Sequence, residues 1–176
     1  KSALLAQMHR TQPNLCETFL NLWDAMEARL EGVSDNEITI FLRVLYLSTE
    51  KHVGKDGMYD GWKVVAQPLS GSDLVDWVRS LSLSSTNYVR LVSPQDSEPH
   101  HEALRDLASI KVLGPLPVLL AARETTGVTF EDVLKVIKYV HLNIFENLTG
   151  GTNKDVFEEK VLGMLNQANP KAGKIG

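Results

Sequence analysis

The chain has 176 residues, 43% hydrophobic and 23% charged, an ordinary globular balance with length enough for one domain. A net charge of −4 excludes a bulk electrostatic pull toward nucleic acid or anionic membrane. The lone cysteine, Cys16, excludes an internal disulfide and points to a reducing, cytoplasmic setting, and no apolar run approaches the roughly 20 residues that span a bilayer. No signal peptide is expected at the N-terminus, and Lys1 in place of methionine fits a piece cut from a longer protein.

Taken in order, Leu4, Leu5 and Met8 mark a short amphipathic turn that Pro13 breaks. Asn14 with Glu17 predicts a helix start. Leu15, Phe19, Leu22, Trp23, Met26 and Leu30 then repeat at helical spacing until Gly32. Ser34 with Glu37 opens the next helix, whose inner face carries Ile38, Phe41, Leu42, Leu45 and Tyr46. A polar turn over 50–57 precedes Met58, Tyr59, Trp62, Val65 and Ala66, and Pro68 ends that helix. Ser70-Gly71-Ser72 leads into Leu74, Val75, Val78 and Leu81. After Ser84-Ser85 the phase weakens, and Tyr88, Leu91 and Val92 are expected to continue the helix.

The stretch 94–99 reads as a loop and 98–110 as a helix with Leu104, Leu107 and Ile110 inward. Gly114-Pro115 punctuates the chain. Leu116 to Ala122 forms an apolar helix with proline at its start, where a missing N–H costs little. The candidate apolar on most sides is 129–148. Thr129 and Asp132 sit at a capping spacing, and two apolar stripes run along it, one through Phe130, Leu134, Ile137, Ile144 and Leu148, the other through Val133, Val136 and Val140. A helix apolar on most sides is expected at the centre of the fold. Gly150-Gly151 ends it, and Val156, Phe157, Val161, Leu162 and Leu165 predict a last helix. No strand-length alternation appears. The expectation is an all-α single domain of about eight helices packed around the central helix 129–148, with 1–12 an extension or linker, 13–168 the helical domain and 169–176 a flexible tail.

Signatures of catalysis are absent: no phosphate-binding glycine loop, no dinucleotide fingerprint, no nucleophile elbow. One cysteine and five histidines cannot build a cysteine-rich zinc site. His100-His101-Glu102 is the only clustered metal-capable group, but adjacent helical residues point about 100° apart, so an exposed helix start is the plainer expectation. His141, among Val140, Leu142 and Phe145, reads as a core histidine with one hydrogen-bond partner. Lys51, His52, Lys55 and Lys63 surround the turn before 58–66, a weak helix-turn-helix likeness. They are the possible nucleic-acid contact, diluted by Glu50, Asp56 and Asp60. No catalytic residue, metal ligand or cofactor is assigned.

Several segments, in this order, resemble a known family. They are Phe19-Leu-Asn-Leu-Trp23, Phe41-Leu-Arg-Val-Leu-Tyr46, Met58-Tyr-Asp-Gly-Trp62, Asn87-Tyr-Val-Arg-Leu91 before Pro94, Leu113-Gly-Pro-Leu-Pro117, and Val133-Leu-Lys-Val-Ile-Lys-Tyr139 through Gly151-Thr152-Asn153. Together they are similar to the helical region of GmrSD-type restriction and defence proteins of bacteria. The resemblance covers about 15–165, and its motifs are loose. It implies an N-terminal ParB-like nucleotide-handling domain and a C-terminal HNH-type nuclease domain in a longer chain, neither represented here. The family's Asp-Gly-Gln-Gln-Arg motif is missing. Asn143-Ile144-Phe145-Glu146 stands where the family often carries paired arginines. The function implied is a non-catalytic helical module joining those two domains, with DNA as a possible partner and no membrane association. The alternatives are a stand-alone helical DNA-binding regulator and a helical protein with no intrinsic activity.

Overall fold

The computed structural model describes residues 1–49, 57–109 and 113–147, and every regular element among them is helical. Eight α-helices follow one another: α1 (Ser2–Thr11), α2 (Cys16–Glu31), α3 (Glu37–Thr49), α4 (Met58–Ala66), α5 (Gly71–Val92), α6 (His101–Ser109), α7 (Pro115–Glu124) and α8 (Phe130–Asn147). The protein is all-α. Its described residues fall into two compact units, drawn from Lys1–Arg43 with Val53–Thr86 and from Val44–His52 with Asn87–Gly176. The expected last helix, the glycine turn at 150–151 and the tail 169–176 lie outside the described residues, as do Lys51, His52 and Lys55.

In the first unit, α2 realises its sequence pattern directly. Cys16, Phe19, Trp23, Met26 and Leu30 are its buried residues, each three or four positions from the last. Burying a side chain of this size contributes about 1.5–3 kcal/mol, so this stripe is the main hold on α2. The helix starts differently from the expectation at Asn14. Pro13–Leu15 forms a 3₁₀ turn, and α2 begins at Cys16 without a side-chain cap. Proline fixes the backbone for that turn, and the Leu15 N–H is taken by the Gln12 carbonyl at 3.1 Å. At α3 the expected Ser34–Glu37 pair does form. The Ser34 hydroxyl donates to the Glu37 carboxylate at 2.6 Å, and the Glu37 N–H donates to the Ser34 carbonyl at 3.1 Å. Within the segment 1–12, Ser2–Thr11 forms α1, and its Met8 is fully buried.

Phe19 and Trp23 stack with ring centroids 5.8 Å apart, yet the buried Trp23 Nε1 has no hydrogen-bond partner. An unpaired buried donor costs about 1–3 kcal/mol. Trp23→Phe removes that donor along with part of the ring, so the two effects oppose. We expect a net loss below about 1.5 kcal/mol in urea unfolding, well short of the roughly 3–5 kcal/mol typical of large aromatic truncations. A loss above 3 kcal/mol would mean the indole N–H is satisfied in solution.

α5 runs unbroken through the stretch where the apolar phase weakens. Leu74, Val78, Leu81 and Tyr88 are buried, and Ser85, fully buried, holds the place between Leu81 and Tyr88 where a large apolar residue would continue the stripe. Its hydroxyl donates to the Ser82 carbonyl at 2.7 Å and accepts from Arg29 of α2 at 2.5 Å, so the polar group enters the core with its bonding met. α5 begins at Gly71, whose φ is +54° and where a Cβ would lie 2.7 Å from the Gln12 side chain. Gly127 has φ +88° with nothing within 4 Å. Alanine at either site is strained by about 1 kcal/mol. We expect Gly71→Ala to cost more than Gly127→Ala, because only the former must also displace Gln12. Equal midpoints in urea would count against this ranking.

In the second unit the most continuous burial lies on α7, where every residue from Pro115 to Ala122 is buried. Helix α8, expected at the centre, is amphipathic over the part whose side chains are described. Leu134 and Ile137 are 3% exposed, while Val136 is 47% exposed and Glu131, Asp132 and Lys135 face solvent. One of its two apolar stripes is therefore buried there, and the other is only partly covered. The side chains of 139–147, His141 included, lie outside the described residues.

Candidate functional site

The densest polar constellation among the described residues belongs to the second unit and is built around Glu98. Sequence periodicity puts Glu98 in α6, but the helix starts three residues later, at His101. The segment between α5 and α6 folds instead as successive turns, with the Glu98 N–H donating to the Gln95 carbonyl at 2.9 Å and the His101 N–H donating to the Glu98 carbonyl at 3.2 Å. His100 takes φ +65°, a left-handed backbone that costs a non-glycine residue about 1–2 kcal/mol.

Two arginines from two helices meet the Glu98 carboxylate. Arg90 Nε, from the last turn of α5, lies 3.1 Å from Glu98 Oε1, and Arg123 Nη2, from the last turn of α7, lies 2.9 Å from Oε2. The Glu98 and Arg123 side chains are 17% and 18% exposed, and Arg90 is 49% exposed. Charge-assisted bonds at this burial are stronger than surface pairs. The Arg123 guanidinium also sits 5.5 Å from the centre of the Phe130 ring, at the start of α8, an attraction worth about 0.5–2 kcal/mol. His100 packs against the same ring at 6.3 Å. Beside this core, Asn87 donates to Glu124 at 3.1 Å and Arg105 pairs with Asp96. One carboxylate thus ties the turn to α5 and α7, and through Arg123 to α8.

The remaining polar groups play simpler parts. Lys135 donates to Glu131 at 2.7 Å across one turn of α8 and holds the Glu131 carboxyl below its ordinary value. That contribution is present above the ordinary carboxylate range and fades as pH falls through the lowered value; the pair lies on the helix surface and not in the core. Lys138 reaches Asp106 of α6 at 2.9 Å.

The residues singled out from the sequence fare unevenly. Of the possible nucleic-acid contact, only Lys63 is described, exposed in the last turn of α4, with Tyr59 one turn before it 76% exposed. His100, His101 and Glu102 do not converge: His100 turns to Phe130, while Glu102 is exposed on the first turn of α6. No group of three His, Cys, Asp or Glu side chains placed to hold a metal occurs among the described residues, and no helix among them is long and apolar enough to cross a membrane. The Glu98 cluster escaped sequence reasoning. Its only advance signal was a glutamate in a short loop between Pro94 and Pro99, and its partners lie on separate helices. Comparison with protein-family models, curated proteins and solved structures finds no match to this chain.

Proposed function

We propose that this chain is the helical module of a GmrSD-like restriction or phage-defence protein, connecting a nucleotide-handling domain to a nuclease domain. The observation that carries the reading is where the resembling segments fall. Their described parts fall mostly on helices: Phe19 and Trp23 in α2, Phe41 to Tyr46 in α3, Met58 to Trp62 in α4, Asn87 to Leu91 in α5, Pro115 to Pro117 in α7, and Val133 to Tyr139 in α8, while Leu113 and Gly114 precede α7 and Gly151-Thr152-Asn153 lies outside the described residues. Their large apolar residues supply much of the core, as Phe19, Phe41, Tyr88, Leu91, Leu116 and Leu134 do. A pattern spent on helix packing suits a connector, whose task is to hold other domains and pass their state along.

In this role the partly buried charges serve as ties between helices, as Glu98 does for α5 and α7. The test is an assay of the purified chain for nucleoside triphosphate hydrolysis and DNA cleavage, with and without divalent cations. Neither reaction is expected. Turnover that requires a metal and tracks the monodisperse chain would overturn the connector role. A second reading, a DNA-binding regulator working through Lys51, His52, Lys55 and Lys63, draws on the exposed Lys63 and Tyr59. It calls for binding in a gel-shift titration that weakens steeply with salt and drops with Lys51→Glu plus Lys55→Glu. No shift at low salt would remove it.

A further inference from the structure

Two guanidinium groups converge on a single carboxylate at Glu98. Arg90 and Arg123 each spend one nitrogen on Glu98, and neither has another charged or hydrogen-bonding partner among the described residues. An arginine carries five donors in a fixed fork suited to oxyanions. Asp96 is paired with Arg105, Glu131 with Lys135, and Glu124 accepts from the neutral amide of Asn87. Glu98 itself sits on a turn whose next-but-one residue, His100, holds a left-handed backbone.

From this we infer that Arg90 and Arg123 form an oxyanion seat in which Glu98 is a tethered occupant, and that a phosphate monoester displaces it and frees the turn between α5 and α6. A phosphate monoester near neutral pH carries more charge than a carboxylate and offers three acceptor oxygens to the two forks. It is therefore the ligand class that competes best with an attached glutamate. Arg123, mostly buried and 5.5 Å from the Phe130 ring centre, fixes the floor of the seat, and the more exposed Arg90 forms its open side. This inference does not depend on the connector role.

The test starts on the unaltered chain. Inorganic phosphate is titrated in at constant ionic strength while the Arg90 and Arg123 Nε–H resonances are followed by NMR. Both are expected to shift together and saturate, with faster hydrogen exchange at the Glu98 and His101 amides. If neither resonance moves at tens of millimolar phosphate, the inference fails. Glu98→Gln removes the tethered competitor and should tighten phosphate binding about tenfold or more, while Asp96→Asn, an equal change in charge, should not. Equal tightening in both variants would reduce the effect to net charge and overturn the seat. Adding Arg90→Ala to Glu98→Gln should abolish the gain, and a gain that survives it places the phosphate elsewhere. Phosphoserine and ribose 5-phosphate, titrated separately, show whether a modified protein or a free sugar phosphate is the better source. Failure of both, with inorganic phosphate still binding, would rule out a monoester ligand.

Discussion

Leu120→Ala is expected to lower the unfolding free energy by about 3–4 kcal/mol, read from urea unfolding followed by circular dichroism. Leu120 is fully buried, and on α7 it lies within a run of eight buried residues, so no solvent-facing edge lets the surroundings collapse into the space left. The loss combines the transfer term of the missing methyl groups with a cavity term, and in well-packed cores the sum falls at about 2–5 kcal/mol. A chain of this size has roughly 5–15 kcal/mol in all, so the variant should be visibly less stable at room temperature. Val136→Ala provides the contrast. Val136 is 47% exposed on α8, and its truncation should cost under about 0.5 kcal/mol. If the two variants unfold at the same midpoint, the burial described for α7 is not what holds this unit.

That contrast also marks what was legible in the sequence. The stripe of α2 is long, regular and buried on one side, so its spacing announces both helix and core. α5 was harder, because a serine stands in an apolar position. Only the structure shows that Ser85 is admitted by bonds from Arg29 and to Ser82, a solution that depends on another helix. The 129–148 helix stands out in the sequence by its two apolar stripes. Where its side chains are described, one stripe is buried and Val136 of the other is half exposed, while the shorter α7 is buried all round. A run of seven apolar residues has too few turns for periodicity to tell one buried face from complete burial. The Glu98 cluster was beyond reach for another reason. Glu98 and Arg123 are 25 positions apart, and no spacing rule links them; the left-handed backbone at His100, uncommon for any non-glycine residue, leaves no mark in the apolar pattern.

Arg123→Ala should cost about 2–4 kcal/mol, far more than its position at a helix end would suggest. Cutting one partner from a mostly buried ion pair leaves the other charge short of compensation, the costly way to break such a pair. Here Glu98, 17% exposed, would keep only the half-exposed Arg90, and Phe130 would lose the cation over its ring. Arg105→Ala is the matched control. Arg105 pairs with Asp96, but both are more than half exposed, and such pairs contribute about 0–1 kcal/mol. Arg123→Lys keeps the charge without the planar fork and should fall between wild type and alanine. In a double-mutant cycle, Arg123→Ala with Glu98→Gln should cost less than the sum of the single changes by about 1–2 kcal/mol, since the pair no longer leaves an orphaned carboxylate. Additive costs, or an Arg123→Ala loss no larger than that of Arg105→Ala, would show that the turn between α5 and α6 is held by its backbone bonds and not by its two arginines.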